Sequence, residues 1–341
     1  MNSFTFTQAT GVAAAVQDNA AHQASAYLGG GTNLIDLMKE NVERPAHLIG
    51  LKNLPLAAID SLPGGGLRLG ALATNADTAY HPEVERRYPL LAQAILAGAS
   101  PQLRNMATDG GNLLQRTRCY YFYDLATPCN KREPGTGCSA IGGYNRVCGI
   151  LGTSERCIAT HPSDMCVALA ALEAVVRVSG PEGERTIKFA DFHRLPGDTP
   201  ELDNNLKKGE LVTGLDLPAQ GFNKNYSYLK LRDRTSYAFA LVSVAATLEL
   251  DGNVITDARL ALGGVAHKPW RDPEAEELLK GQPATADTFR RVAAKVLEGA
   301  KGFGSNTFKI ELARRAIVRA LQQATEMTQA TDDNAFLNSN P

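Results

Sequence analysis

Five cysteines, Cys119, Cys129, Cys138, Cys148 and Cys157, fall within one 39-residue stretch, and the sixth, Cys166, follows shortly after. The rest of the chain has none. Secreted disulfide frameworks spread pairs through a small domain, whereas clustering in a long chain points to metal or redox chemistry. The spacing is Cys119-x9-Cys129-x8-Cys138-x9-Cys148-x8-Cys157. No Cys-x-x-Cys pair occurs, which argues against a zinc ribbon. The pattern also departs from the Cys-x4-Cys-x2-Cys run of plant-type [2Fe–2S] proteins. Four thiolates from an irregular loop suit a cubane cluster; zinc, disulfides and free thiols are the alternatives. Local charge agrees with an anionic cluster. From Arg116 to Cys157 there are six Arg and Lys against three Asp and Glu, in a chain of net charge −1. Nearby cations lower thiol pKa values. Cys166, inside a helical stretch, reads as a small core residue.

A second kind of chemistry lies in two glycine loops. Tyr27-Leu28-Gly29-Gly30-Gly31-Thr32-Asn33-Leu34 runs from a short apolar strand through three glycines into a helical stretch. Such a turn exposes backbone N–H groups, and with the helix dipole it binds phosphate. Thr108-Asp109-Gly110-Gly111-Asn112 repeats the design of hydroxyl, paired glycines and amide. Each loop alone is compatible with an ordinary turn; together they can clasp the two phosphates of a dinucleotide. Neither is a Gly-x-Gly-x-x-Gly fingerprint or a Walker loop.

These loops need elements to hold them. The first segment reads as α/β, with strands over residues 2–6, 26–28 and 47–51 and helices over 7–17 and 34–39. Residues 67–72 form a strand after a Pro-Gly-rich turn, and residues 74–80 and 89–96 look helical. The cysteine stretch is broken by Pro128, Pro134, Gly135, Gly137, Gly142 and Gly143, so it is expected to be irregular. Ser163 is an N-cap for a helix over 164–174. Strands over 175–178, 186–189 and 210–217 follow. From about residue 223 the pattern is antiparallel. Runs at 240–250 and 254–265 flank Asp251-Gly252, a strong hairpin signal. Helices over 273–279, 285–297 and 309–325 come next, and a polar tail, expected to fray, fills 326–341.

Composition bounds the rest. The chain has 341 residues, 44% hydrophobic and 21% charged, enough for two or three modules. A net charge of −1 gives no basic field for nucleic acid or anionic lipid. Apolar runs are too short to span a bilayer. The N-terminus carries no secretion signal of its own, so cytoplasm is the default location. Export alongside a signal-bearing partner is the alternative.

Residues 28–34, Arg104-Asn105-Met106-Ala107-Thr108-Asp109-Gly110-Gly111-Asn112-Leu113 and His161-Pro162-Ser163-Asp164 occur in an order and spacing that resemble the FAD-binding medium subunits of molybdenum hydroxylases, the xanthine dehydrogenase and carbon monoxide dehydrogenase family. The resemblance runs from about residue 2 to about residue 325. Residues 236–246 with Leu262-Gly263-Gly264-Val265-Ala266 resemble that family's C-terminal flavoprotein domain. Arg116-Thr117-Arg118-Cys119-Tyr120-Tyr121-Phe122 and Pro128-Cys129-Asn130-Lys131-Arg132 narrow the likeness to the periplasmic aldehyde oxidoreductase type, whose flavin subunit carries an extra [4Fe–4S] cluster.

The resemblance implies an α+β fold. Residues 1–222 would be a FAD-binding domain of PCMH type with two α/β subdomains, and residues 116–157 an irregular iron–sulfur insertion. Residues 223–325 would be a C-terminal antiparallel-sheet and helix domain. Tyr27, Leu28, Gly29, Gly30, Gly31, Thr32, Asn33, Leu34, Thr108, Gly110, Gly111 and Asn112 would hold FAD. Asp164 would hydrogen-bond the cofactor, and Lys230 would lie near the isoalloxazine. Asp109 departs from the family's small or apolar residue, so its carboxylate should point away from the pyrophosphate. Cys119, Cys129, Cys138 and Cys157 would ligate the cluster, since the family pattern usually holds another residue at position 148; whether Cys148 or Cys157 is the fourth ligand stays open. The implied role is a flavin and iron–sulfur electron-transfer subunit of a heterotrimer. A molybdenum-cofactor large subunit and a [2Fe–2S] small subunit would be its partners, and electrons would leave to an external acceptor. The alternatives are a stand-alone FAD oxidoreductase and a non-catalytic iron–sulfur scaffold.

Overall fold

The computed structural model describes residues 1–338, with side chains described through Glu326. Three sheets organise the chain. The first is parallel and small: β1 (Thr5–Gln8), β2 (Ser25–Leu28) and β3 (His47–Gly50), with β3 in the middle. Parallel neighbours need a crossover. The helix Val12–Ala21 links β1 to β2, and Leu34–Lys39 links β2 to β3. Every residue of β3 is buried, as a central parallel strand requires.

The second sheet is antiparallel throughout. Its strands are β4 (Ile59–Ser61), β5 (Leu67–Gly70), β6 (Val175–Gly180), β7 (Gly183–Lys188) and β8 (Leu211–Leu217), in the order β4-β5-β8-β6-β7. β8 thus stitches residues 67–70 to residues 175–179. The third sheet holds β9 (Asn225–Leu231), β10 (Val242–Asp251), β11 (Val254–Gly263) and β12 (Trp270–Arg271), also antiparallel. Asp251-Gly252 turns the β10–β11 hairpin as expected, with Gly252 at φ +57°.

Two large cores result. One joins the five-stranded sheet to the helices Pro89–Ala97 and Asp164–Ala171. The other lies between the third sheet and the helices Ala286–Val296 and Phe308–Asn338. Asp164–Ala171 is buried along its whole length because it packs on β10 and β11 as well as on Pro89–Ala97. It therefore fastens the two halves together.

Two expectations shift. The first helix covers Val12–Ala21 rather than 7–17, because residues 5–8 pair with β3. The final helix continues through Asn338, so residues 326–338 are helical rather than frayed. Residues 339–341 of the expected tail lie outside the described residues. The cysteine stretch is irregular as expected, with only the short turns of helix Tyr120–Tyr123 and Ser139–Gly142. No described helix is long and apolar enough to cross a membrane.

Candidate functional site

β2 ends at Leu28, and the chain passes through Gly29, Gly30 and Gly31 before entering Leu34–Lys39. Gly31 has φ +73°, a left-handed conformation that glycine adopts without strain. The first helical bond runs from Ile35 N–H to Gly31 O, so the N–H groups ahead of it lie outside the ladder. Gly30 meets the second loop directly. A Cβ there would sit 1.8 Å from the carbonyl oxygen of Met106, so only glycine lets the two loops close on one another. In the second loop Thr108 caps the short helix Asp109–Leu113, its Oγ1 accepting from Gly111 N–H at 3.2 Å.

The two loops form one wall of a cleft of about 570 Å³. Tyr27, Leu28, Gly29, Gly30, Gly31, Thr32, Asn33, Leu34, Thr108, Gly111, Asn112, Asp164 and Lys230 all border it. Gly110 does not. It packs on Ala71, its N–H donating to Ala71 O at 2.8 Å, so its small size serves close packing behind the loop. Asn33 accepts from Arg116 N–H at 2.9 Å through Oδ1, and its amide also faces the Tyr123 hydroxyl. The N–H groups ahead of Ile35 and the side-chain-free approach at Gly29–Gly31 fit a phosphate or other anionic group of a bound nucleotide. Arg104, Arg116, Arg118, Tyr237 and Phe239 also border the cleft. These were not picked out from the sequence, because each comes from a segment whose placement depends on tertiary folding.

Asp109 turns away from the cleft. It is wholly buried and accepts from Asn75 Nδ2 at 2.7 Å and Thr78 Oγ1 at 2.6 Å. Burial pushes its carboxyl up to about 7 despite those donors. Asn75 also accepts from Asn112 Nδ2 at 2.7 Å, and Ser163 donates to Asn112 Oδ1 at 2.6 Å. A buried polar chain thus locks the second loop to the N-cap of Asp164–Ala171.

Asp164 and Lys230 form a buried ion pair of 2.7 Å, with side chains 8% and 5% exposed. Lys230 also donates to Ala97 O at 3.0 Å, and Tyr228 donates to the other Asp164 oxygen at 2.7 Å. Burial and the neighbouring carboxylate raise the Tyr228 phenol well above its ordinary value. Lys230 and Tyr228 are two residues apart on β9, so they share a face of the strand. That alternation was the signal for Tyr228 in the sequence.

All the cysteines are free thiols. Cys119, Cys129, Cys138 and Cys157 line one narrow cavity with Phe122, Pro128, Lys131 and Ala159. Cys148 is buried in the same apolar cluster but does not line that cavity. Its carbonyl accepts from Lys309 Nζ at 2.7 Å, which ties it to the C-terminal helix. Cys138 is lowered to about 6 by a hydrogen bond from Cys157, and a bond from Cys148 lowers Cys119. Among the described residues, the histidine, cysteine and carboxylate trios whose ligand atoms all lie within 4.8 Å of one another include none of these five cysteines. A mononuclear zinc tetrathiolate needs sulfurs about 3.8 Å apart. Cys138 and Cys157 stand within hydrogen-bond reach of each other, as do Cys119 and Cys148. Lys131, almost fully buried, is paired with Asp203, which Arg116 also holds. Their charges keep the Asp203 carboxyl well below the ordinary range despite its burial.

Residues 2–220 match the family described as "FAD binding domain in molybdopterin dehydrogenase", and residues 226–324 match "CO dehydrogenase flavoprotein C-terminal domain". The chain belongs to the FAD-binding medium subunits of the molybdenum hydroxylases. Among relatives of this oxidoreductase subunit, the aldehyde oxidoreductase FAD-binding subunit PaoB of Escherichia coli is 48% identical over 95% of this chain and 99% of its own. The glyceraldehyde dehydrogenase medium chain of Sulfolobus acidocaldarius is 28% identical over 86% of each chain. The fold of this medium subunit is also that of the CO dehydrogenase from Oligotropha carboxidovorans, with a TM-score of 0.75 at 22% identity, covering 96% of this chain and 99% of that one.

Proposed function

We propose that this FAD-binding subunit also carries a [4Fe–4S] cluster and passes electrons from a partner's [2Fe–2S] clusters, by way of FAD, to an external acceptor. The carrying observation is the adjacency of two built sites, a glycine-walled cleft and a cavity lined by four cysteines, with Arg116 bordering the first and Thr117 the second. Tyr27, Leu28, Gly29, Gly30, Gly31, Thr32, Asn33, Leu34, Thr108, Gly111 and Asn112 hold the nucleotide, with Gly110 acting from behind. Asp164 and Lys230 set the position and charge at the far end of the cleft. Cys119, Cys129, Cys138 and Cys157 are the cluster ligands, with Cys148 as a neighbour that hydrogen-bonds Cys119. When bound, FAD supplies redox chemistry that can connect one-electron and two-electron carriers, and the protein orients it and tunes its potential.

The domain division follows: residues 1–222 for the flavin, with the insertion at 116–157 for the cluster, and residues 223–325 as a platform that presents Lys230 and the loop bearing Tyr237. The substrate site belongs to a molybdenum-cofactor large subunit, and a [2Fe–2S] small subunit completes a heterotrimer. The relatives named medium chains and FAD-binding subunits support that assembly. Cytoplasm, or a periplasm reached with a partner, is the compartment.

Anaerobic purification with quantitation of flavin, iron and acid-labile sulfide tests the cluster. The expected result is one FAD and about four iron per chain, with a cubane signature on reduction. A flavin-replete chain that never holds iron under these conditions would leave the FAD subunit intact and remove the cluster from it.

A further inference from the structure

Away from the cleft, Asp18, His22 and His47 converge where the helix Val12–Ala21 ends on the parallel sheet. His47 opens β3, the central strand, with Thr5 and Ser25 in register on either side. Its Nε2 lies 3.1 and 3.2 Å from the two oxygens of Asp18. His22 Nδ1 lies 2.9 Å from Asp18 Oδ1. One ligand atom from each residue falls within 4.8 Å of the others. Around an ion with bonds of about 2.1 Å, neighbouring ligands stand about 3.0 Å apart at right angles and about 3.4 Å apart at tetrahedral angles. The two separations to Asp18 Oδ1, 3.1 and 2.9 Å, lie close to the right-angle value.

His22 Nδ1 also lies 3.0 Å from the Asp18 backbone carbonyl oxygen, a contact that ion binding would replace, while His47 is held from behind. Thr5 Oγ1 reaches Ala46 O at 3.3 Å and lies 2.7 Å from His47 Nδ1. With its proton on Ala46, Thr5 accepts from His47 Nδ1–H, and Nε2 turns a lone pair toward a carboxylate. A proton or a metal ion can stand between these atoms at that distance. A histidine that donates one ring N–H to an oxygen and offers the other nitrogen inward is the usual arrangement of a metal-bound imidazole. The imidazoles stack with centroids 4.3 Å apart. Asp18 and His22 also sit at the negative end of a helix with no basic residue in its last turn. Lys208 is held on Ser25 Oγ at 3.1 Å.

We propose that Asp18, His22 and His47 bind one divalent ion of the zinc class, which clasps the first helix to the centre of the parallel sheet. Two imidazoles and a carboxylate suit Zn²⁺, Ni²⁺ or Cu²⁺ rather than Ca²⁺ or Mg²⁺. The side chains are 8% exposed at His47, 20% at Asp18 and 53% at His22, so the site is open to solvent on the His22 side and water can complete the coordination. The consequence is mechanical: β2, which leads straight into the glycine loop at 29–31, lies against β3.

Zn²⁺ and Co²⁺ test the site on the full chain, purified anaerobically with flavin and iron retained. Wild type should hold one more Zn²⁺ than His22→Ala or Asp18→Asn, with its thermal transition raised by Zn²⁺ only when all three residues are present. Thr5→Val should weaken binding by about tenfold, as loss of a partner behind a metal-bound histidine does. The Co²⁺ form should show ligand-field bands without thiolate charge-transfer absorption. Retained flavin in His22→Ala, whose side chain is half exposed, confirms that the variant is folded. Equal Zn²⁺ stoichiometry and equal thermal shifts in wild type and His22→Ala would overturn the site. So would a Co²⁺ spectrum dominated by thiolate bands.

Discussion

Asp109 is a carboxylic acid in the second glycine loop, wholly buried. Its outward turn was legible, because a carboxylate beside a pyrophosphate is unfavourable. Its partners were not, since Asn75 and Thr78 reach it only through the fold. The folded-state value near 7 lies above the ordinary 3.8, so between those values the native protein keeps a proton that the unfolded chain has released. Stability from this site is therefore full below about pH 4 and declines as pH rises toward 7. Asp109→Asn should abolish that decline, since an amide mimics the protonated acid. The variant should gain on wild type by on the order of a few kcal/mol between pH 5 and 8, measured by urea unfolding. A difference that stays flat with pH would show that Asp109 is ionised throughout. Lys230 makes a second residue-scale case. Lys230→Ala strands the Asp164 carboxylate in a buried site, which should cost about 3–5 kcal/mol. Lys230→Met combined with Asp164→Asn should recover much of that loss while leaving flavin reduction altered. Equal destabilisation by single and double variants would mean that the pair is not coupled.

At the scale of elements, the glycine loops were visible as motifs, but their mutual contact was not. Gly30 looked like one donor among three, whereas the structure makes it the point where the loops touch. Gly30→Ala should expel FAD more completely than Gly111→Ala, whose added Cβ meets only Thr108 Oγ1 at 2.8 Å. Flavin absorbance after gel filtration, with circular dichroism as a check on folding, reads this directly; equal flavin retention in the two variants would deny Gly30 its role. Gly110 was misplaced because a sequence motif cannot say which side of a turn faces a ligand. The cysteine stretch behaves likewise. Its irregularity was legible from proline and glycine, while the choice between Cys148 and Cys157 depended on which thiol faces the shared cavity. Cys157→Ser should lose most of the iron, and Cys148→Ser should keep about four per chain, as a cubane requires. Iron lost in Cys148→Ser and kept in Cys157→Ser would reverse the choice. The β10–β11 hairpin could be drawn from Asp251-Gly252 alone, because its pairing is local. The five-stranded sheet could not, because β5 and β8 lie about 140 residues apart and no periodicity announces such a pairing.

The whole molecule is arranged so that its two halves share one site. Asp164 comes from the helix buried between the cores, Lys230 from the first strand of the third sheet, and Tyr237 from the loop after it. The isolated C-terminal half would lack the acid, and the isolated N-terminal half would lack the base. The ion pair at the cleft is thus also a contact between the halves, and flavin occupancy should report on their docking. What the molecule contains also bounds what it can do alone. Its described residues are committed to the flavin cleft, the cysteine cage and the supporting sheets, and a net charge of −1 offers little long-range steering toward partners. Association must then rest on close packing. Expressed without partners, the chain should bind FAD and accept electrons from a chemical reductant yet leave aldehydes and purines unoxidised. Adding a molybdenum-cofactor subunit and a [2Fe–2S] subunit should restore turnover. In that complex Lys230→Met with Asp164→Asn should change the rate of flavin reduction more than the amount of complex recovered by gel filtration. Steady-state aldehyde oxidation by the isolated, molybdenum-free chain would require a substrate site in its own cleft, and would make the protein a self-sufficient flavoenzyme.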